Sequence, residues 1–182
     1  MKQHPFRWIA LAVGIAVAAF AVVLAVNVST DPRADSNSSR LLGKAAPAFA
    51  FTDLAGKKVT SADLVGKTVI LNFWNSWCAP CRDELPALQR WYSTHRDDTD
   101  VVLIGVPRDD TGGAIRAAAR RNKMDWAVAN DHGAEAATLD YATRGQPETF
   151  AISPNGVVIA AQIGPVNVST LDKMAAYGRR AA

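Results

Sequence analysis

Two cysteines, Cys78 and Cys81, lie within the stretch Trp77-Cys78-Ala79-Pro80-Cys81, and no other cysteine occurs in the 182 residues. Thiols at that spacing can close a small disulfide. The apolar run Val69-Ile70-Leu71-Asn72-Phe73-Trp74 precedes them and a helix-favouring stretch follows. This order puts Cys78 at the head of a helix, where amide N–H groups and the helix dipole favour a thiolate. A dithiol so placed is built to exchange with other disulfides. The same pair can also be read as a buried reduced pair, a passive staple or half of a zinc site. Zinc needs four ligands, or three plus water. Beyond the cysteines the chain offers only His4, His95 and His132, whose scattered positions look incidental.

The flanking elements follow from periodicity. Val69 to Trp74 has the unbroken apolar character of a central strand covered on both faces. A helix is expected from Cys78 to His95, because Leu85, Leu88, Trp91 and Tyr92 recur at three- and four-residue spacing, with Pro86 as a kink. Upstream, Phe49 and Phe51 alternate before Gly56 and Val59, as in a short hairpin. Val101 to Val106 is a second buried strand, ended by Pro107. Asp110 and Thr111 can cap a helix to Asn122; a short strand over Trp126–Ala129 and a helix over Ala134–Ala142 come next. Glu148–Ile152 and Val157–Ile163 flank Asn155-Gly156, a two-residue hairpin signal, and Ser169 can cap a last helix reaching Tyr177. The order gives an α/β fold: a mixed sheet flanked by helices, with an N-terminal β-hairpin extension.

From Ile9 to Val26 no charge interrupts eighteen apolar or small residues, a length of about 27 Å as a helix and enough to cross a bilayer. Lys2 and Arg7 before it and Asp31 after it place the N-terminus in the cytoplasm and the remainder on the extracytoplasmic side, where disulfide chemistry operates. The run exceeds the roughly 7–15 apolar residues of a cleavable signal, which favours a retained transmembrane anchor over cleavage near Val23-Leu24-Ala25. The chain therefore divides into a cytoplasmic N-terminus and anchor over 1–26, a flexible tether over 27–44 and one domain over 45–182. Five basic and two acidic residues lie in 1–44, and 45–182 carries fifteen of each, so the net charge of +3 belongs to the anchor region. That balance gives no support to nucleic-acid binding.

Residues 72–81, Asn72-Phe73-Trp74-Asn75-Ser76-Trp77-Cys78-Ala79-Pro80-Cys81, resemble the active-site stretch of thioredoxin-like proteins, and Gly145-Gln146-Pro147-Glu148-Thr149-Phe150 resembles that family's cis-proline loop. With the anchor, the leading hairpin, Cys81-Arg82-Asp83-Glu84 and Gly164-Pro165, the chain is similar to membrane-tethered CcmG/DsbE proteins and to the related ResA and TlpA proteins. The resemblance implies a thiol-disulfide oxidoreductase that reduces apocytochrome c thiols for haem attachment, fed by a membrane thiol carrier and needing no metal or organic cofactor. It implies Cys78 as an exposed attacking thiolate, Cys81 as the more buried resolving thiol and a cis Pro147 facing them. Trp77, Ala79, Pro80 and Gln146 would border the substrate, and Trp74 would be core. Asn72 replaces the buried aspartate of thioredoxin, and an amide cannot titrate. Glu84 and Glu148 correspond to acids of CcmG-type proteins and become the proton-transfer candidates, although Glu84 also reads as a solvated first-turn residue. The opposite direction, a disulfide donor for exported proteins, and a non-catalytic stapled domain remain open. Peroxide reduction and copper delivery fit less well: Trp77 precedes Cys78 where a peroxidatic site has a Pro and Thr arrangement, and copper chaperones use a CxxxC spacing.

Overall fold

A central β-sheet positions the dithiol, and its strands form where the sequence is most continuously apolar. The computed structural model describes residues 13–20, 39–130 and 132–181. Residues 13–20 are helical and exposed. Most of the expected membrane span, Ile9–Val26, lies outside the described residues, among which no helix is long and apolar enough to cross a membrane.

The domain opens with the expected hairpin, β1 (Ala50–Thr52) antiparallel to β2 (Lys58–Thr60), which buries Phe49, Phe51 and Val59. A 3-10 turn over Ser61–Leu64, capped by Thr60, leads into β3 (Thr68–Trp74), buried along its whole length. Then come α1 (Ala79–His95), β4 (Val101–Pro107), α2 (Gly112–Arg121), β5 (Ala127–Val128), α3 (His132–Asp140), β6 (Glu148–Ile152), β7 (Val158–Ile163) and α4 (Val168–Arg180). The sheet order is β5-β4-β3-β6-β7; β3 runs parallel to β4 and antiparallel to β6, so the sheet is mixed as expected.

Alternation along β3 divides the core. Ile70 and Trp74 face one side with Leu85 and Leu88 of α1, Ile115 of α2 and Leu171 and Met174 of α4. Val69, Leu71 and Phe73 face the other side with Phe49 and Phe51, Ala134 and Ala137 of α3, Tyr141 and Phe150. Two apolar faces explain why β3 reads as an unbroken hydrophobic run.

Some boundaries differ from the sequence reading. Helix α4 is capped by Asn167, whose Oδ1 accepts the Thr170 N–H at 2.9 Å, and not by Ser169; it continues past Tyr177 to Arg180. Helix α3 starts and stops about two residues earlier than periodicity suggested. The β6–β7 connection is longer than a two-residue turn: the Gly156 N–H donates to Ser153 O at 2.9 Å, and the Ser153 N–H to Val157 O at 2.8 Å. Of Asn155 and Gly156 only Gly156 has positive φ, 76°, because Pro154 sets a turn of ordinary hand that a left-handed glycine then closes.

Candidate active site

The strand-to-helix junction holds both sulfurs. Cys78 is the N-cap of α1: its Sγ accepts the Cys81 N–H at 3.1 Å, so a sulfur occupies the place where a helix start binds negative charge. Pro80 lies in the first turn, where a missing N–H costs nothing. The two sulfurs are bonded at 2.09 Å. Across from them the Gln146–Pro147 peptide is cis, and Gln146 O lies 3.7 Å from Cys78 Sγ. The two halves of the expected site meet.

Cys78 is less open than expected, 5% exposed against 2% for Cys81. The order is as expected, yet in the disulfide form the nearby Gln146 carbonyl and the bond to Cys81 both cover Cys78. Access comes instead from a rim of exposed residues: Trp77, at 60% of its surface, Ala79, Pro80 and the half-buried Gln146. Trp74 is core, as the strand position suggested.

Glu84 is not a solvated first-turn residue; it is 1% exposed. Its Oε1 accepts from Asn72 Nδ2 at 2.8 Å and its Oε2 from the Val166 N–H at 2.9 Å, while Asn72 Nδ2 also donates to Thr149 Oγ1 at 3.0 Å. Burial pushes the carboxyl up to about 7, against the pull of those two donors. Lying three residues beyond Cys81, it falls on the same side of α1. Asn72 therefore serves as a hydrogen-bond donor that orients the acid.

Glu148 is buried as well, and its Oε2 accepts the Arg144 N–H at 2.9 Å. Burial raises its carboxyl, opposed by that N–H and by the charges of Arg144 and Arg108. In the β3–β6 register Glu148 pairs with Phe73, whereas Asn72 pairs with Thr149. Adjacent positions on a strand point to opposite faces. Glu148 accordingly lines a recess with Tyr141 and Lys44, across the sheet from Glu84.

Sequence reasoning missed the segment that braces the site. The Arg108 N–H donates to Trp74 O at 2.8 Å, Asn75 Nδ2 to Arg108 O at 3.3 Å, Trp77 Nε1 to Asp109 O at 3.3 Å, and the Ser76 N–H to Asp110 Oδ2 at 2.6 Å. Arg108 Nη1 reaches Thr143 O at 3.2 Å, on the approach to the proline loop. Thr111 caps α2, which leaves Asp110 for this tie. The signal was present as Asp110 beside Thr111, but the sequence reads both as caps of the following helix.

Residues 42–161 match the AhpC/TSA family. The chain is similar to the thiol-disulfide oxidoreductase ResA of Bacillus anthracis, 36% identical over 123 residues that cover 68% of this chain and 70% of that protein. It is also similar to ResA of Bacillus subtilis (strain 168), 32% identical over 130 residues and 71% of each protein. Among solved structures, the thioredoxin domain of a thiol-disulfide oxidoreductase from Bacteroides vulgatus superposes with a TM-score of 0.64 at 27% identity, over 74% of this chain and 97% of that one.

Proposed function

We propose that this chain, which belongs to the AhpC/TSA family and is a thiol-disulfide oxidoreductase of the ResA type, works as an extracytoplasmic, membrane-anchored reductant of protein disulfides, with apocytochrome c as its substrate. The observation that carries the reading is the placement of Cys78 Sγ at the N-terminus of α1, 3.7 Å from Gln146 O, with a buried carboxyl on the Cys81 side of the same helix. In the reduced protein the Cys78 thiolate attacks one sulfur of the substrate disulfide, a mixed disulfide forms and a substrate thiolate leaves. Cys81 then attacks Cys78 Sγ, releasing the second substrate thiol and leaving the Cys78–Cys81 disulfide. Glu84, with a pKa near neutrality, takes the proton that Cys81 must lose. The cis-Pro147 loop offers the Gln146 backbone to an extended peptide.

The anchor over 1–26 and the tether over 27–44 hold the domain near a membrane thiol carrier that returns it to the dithiol form. No glycine fingerprint for a nucleotide cofactor occurs in the sequence, which supports a protein source of electrons. Reduction potential tests the direction: a reductant lies well below the roughly −120 mV of a strong oxidant, and a value near that figure marks a disulfide donor instead. Covalent haem staining after gene deletion tests the substrate. Loss of c-type cytochromes is expected, and undiminished staining contradicts the assignment.

A further inference from the structure

Residues 141–147 carry the chain from α3 into β6 and contain the cis-proline, yet they form neither helix nor strand. The backbone polar groups of such a segment must be held by other partners. One peptide group within it, the Thr143–Arg144 unit, is gripped at both ends: its carbonyl accepts from Arg108 Nη1 at 3.2 Å, and its N–H donates to Glu148 Oε2 at 2.9 Å. Glu148 also takes a hydrogen bond from the Gly145 backbone. Both gripping residues are in turn fixed to β3, the strand that leads to the dithiol. Arg108 donates its backbone N–H to Trp74 O at 2.8 Å and its carbonyl accepts from Asn75 Nδ2 at 3.3 Å, while Asp109 Oδ2, 3.3 Å from its Nε, orients the guanidinium. Glu148 pairs with Phe73 in the β3–β6 register. The two sulfurs pack with Trp74 and Leu85 on one face of the sheet, and Glu148 lines the recess beside Tyr141 on the other. That placement suits Glu148 to holding the loop and not to taking a proton from Cys81.

We propose, resting on the reading of the Gln146 backbone as the place where an extended substrate pairs, that Arg108 and Glu148 are positioning residues that clamp the Thr143–Arg144 peptide and so set the groove between Cys78 and Gln146. Neither touches the reacting sulfurs, and the electron balance is unchanged: two electrons pass from the Cys78–Cys81 dithiol to the substrate disulfide. Loss of the clamp lets the proline loop drift from the dithiol. A polypeptide that must pair with the loop then binds less well, whereas a small disulfide, which needs the sulfurs alone, is spared.

The test uses the full-length reduced protein with two substrates, a synthetic disulfide peptide and 2-hydroxyethyl disulfide, and reads the ratio of their kcat/KM values within each variant. Arg108→Met keeps the alkyl stem and removes the donors; the ratio is expected to fall about tenfold, through a raised KM for the peptide more than through kcat. Glu148→Ala is expected to lower the ratio similarly. Glu148→Gln keeps most of it, because the amide oxygen still accepts the Arg144 N–H although the side chain no longer titrates. The double variant Arg108→Met with Glu148→Ala is expected to fall little further than either single variant, since both residues hold one peptide group. Equal losses on the two substrates, or a Glu148→Gln protein as impaired as Glu148→Ala, overturns the clamp and leaves the dithiol reading intact. Where Arg108→Met does not fold, the Glu148 pair decides. Failure of the parent protein to reduce either substrate overturns both.

Discussion

Glu84 is an acid that the fold leaves about half protonated at neutral pH, and the consequence is a stability that depends on its proton. Its folded pKa of about 7 lies above the ordinary 4.5, so the folded state holds the proton more tightly. Below the ordinary value the stabilisation is fully present, and it is lost as pH rises through about 7. Urea unfolding of the disulfide form is expected to show a contribution smaller by roughly 2–3 kcal/mol at pH 8 than at pH 5, and Glu84→Gln abolishes that difference. A pH dependence unchanged by the substitution contradicts a buried titrating Glu84. The same variant is expected to slow disulfide reduction at pH 7 by about tenfold or more, within the range of general acid–base effects. At this scale the sequence made the dithiol legible, since two cysteines between an apolar strand and a helix have few alternatives. It left Glu84 ambiguous, because burial of a first-turn residue depends on Val166 and Asn72, distant in sequence and brought together only by the fold.

At the scale of elements, apolar runs made all the main strands readable, and the misplacements fall at helix ends and at the β6–β7 turn. Helix α2 closes with the Met124 N–H on Ala119 O at 3.0 Å and the Lys123 N–H on Arg120 O at 3.2 Å, with Lys123 at φ 47°. Helix α3 ends likewise, with Ala142 at φ 50°. Glycine is the usual residue at such a position, and its absence hid the α3 stop. Lys123→Gly is expected to raise stability by up to about 1 kcal/mol in a denaturant titration, the relief of a left-handed side chain partly offset by glycine entropy. A loss of stability contradicts the assignment of strain there. Where α4 crosses the start of β3, a Cβ at Gly178 would overlap the Thr68 side chain. Gly178→Ala is therefore expected to cost about 1–3 kcal/mol, and Thr68→Ala in the same background to recover part of it. Independent, additive effects contradict that close approach.

For the whole molecule, the sequence separated a charge-free N-terminal run from a charge-balanced domain, and the domain's sandwich of sheet between helices followed from element order. It did not foretell how the 108–110 segment ties the Trp77 loop to the proline approach, since such contacts join three separate stretches of chain. The proposed anchor predicts that the full-length protein sediments with membranes, resists high-salt extraction, and becomes soluble once residues 1–26 are removed. Release of the intact chain by salt alone contradicts an inserted span. The central claim, that Cys78 attacks substrate and Cys81 resolves the adduct, is tested most directly by trapping. Reduced Cys81→Ser protein mixed with a disulfide peptide is expected to accumulate, by intact-mass spectrometry, one peptide adduct mapped to Cys78, while Cys78→Ser accumulates far less. An adduct that maps to Cys81 in the protein with both cysteines, or no adduct at Cys78 in the Cys81→Ser protein, contradicts the account.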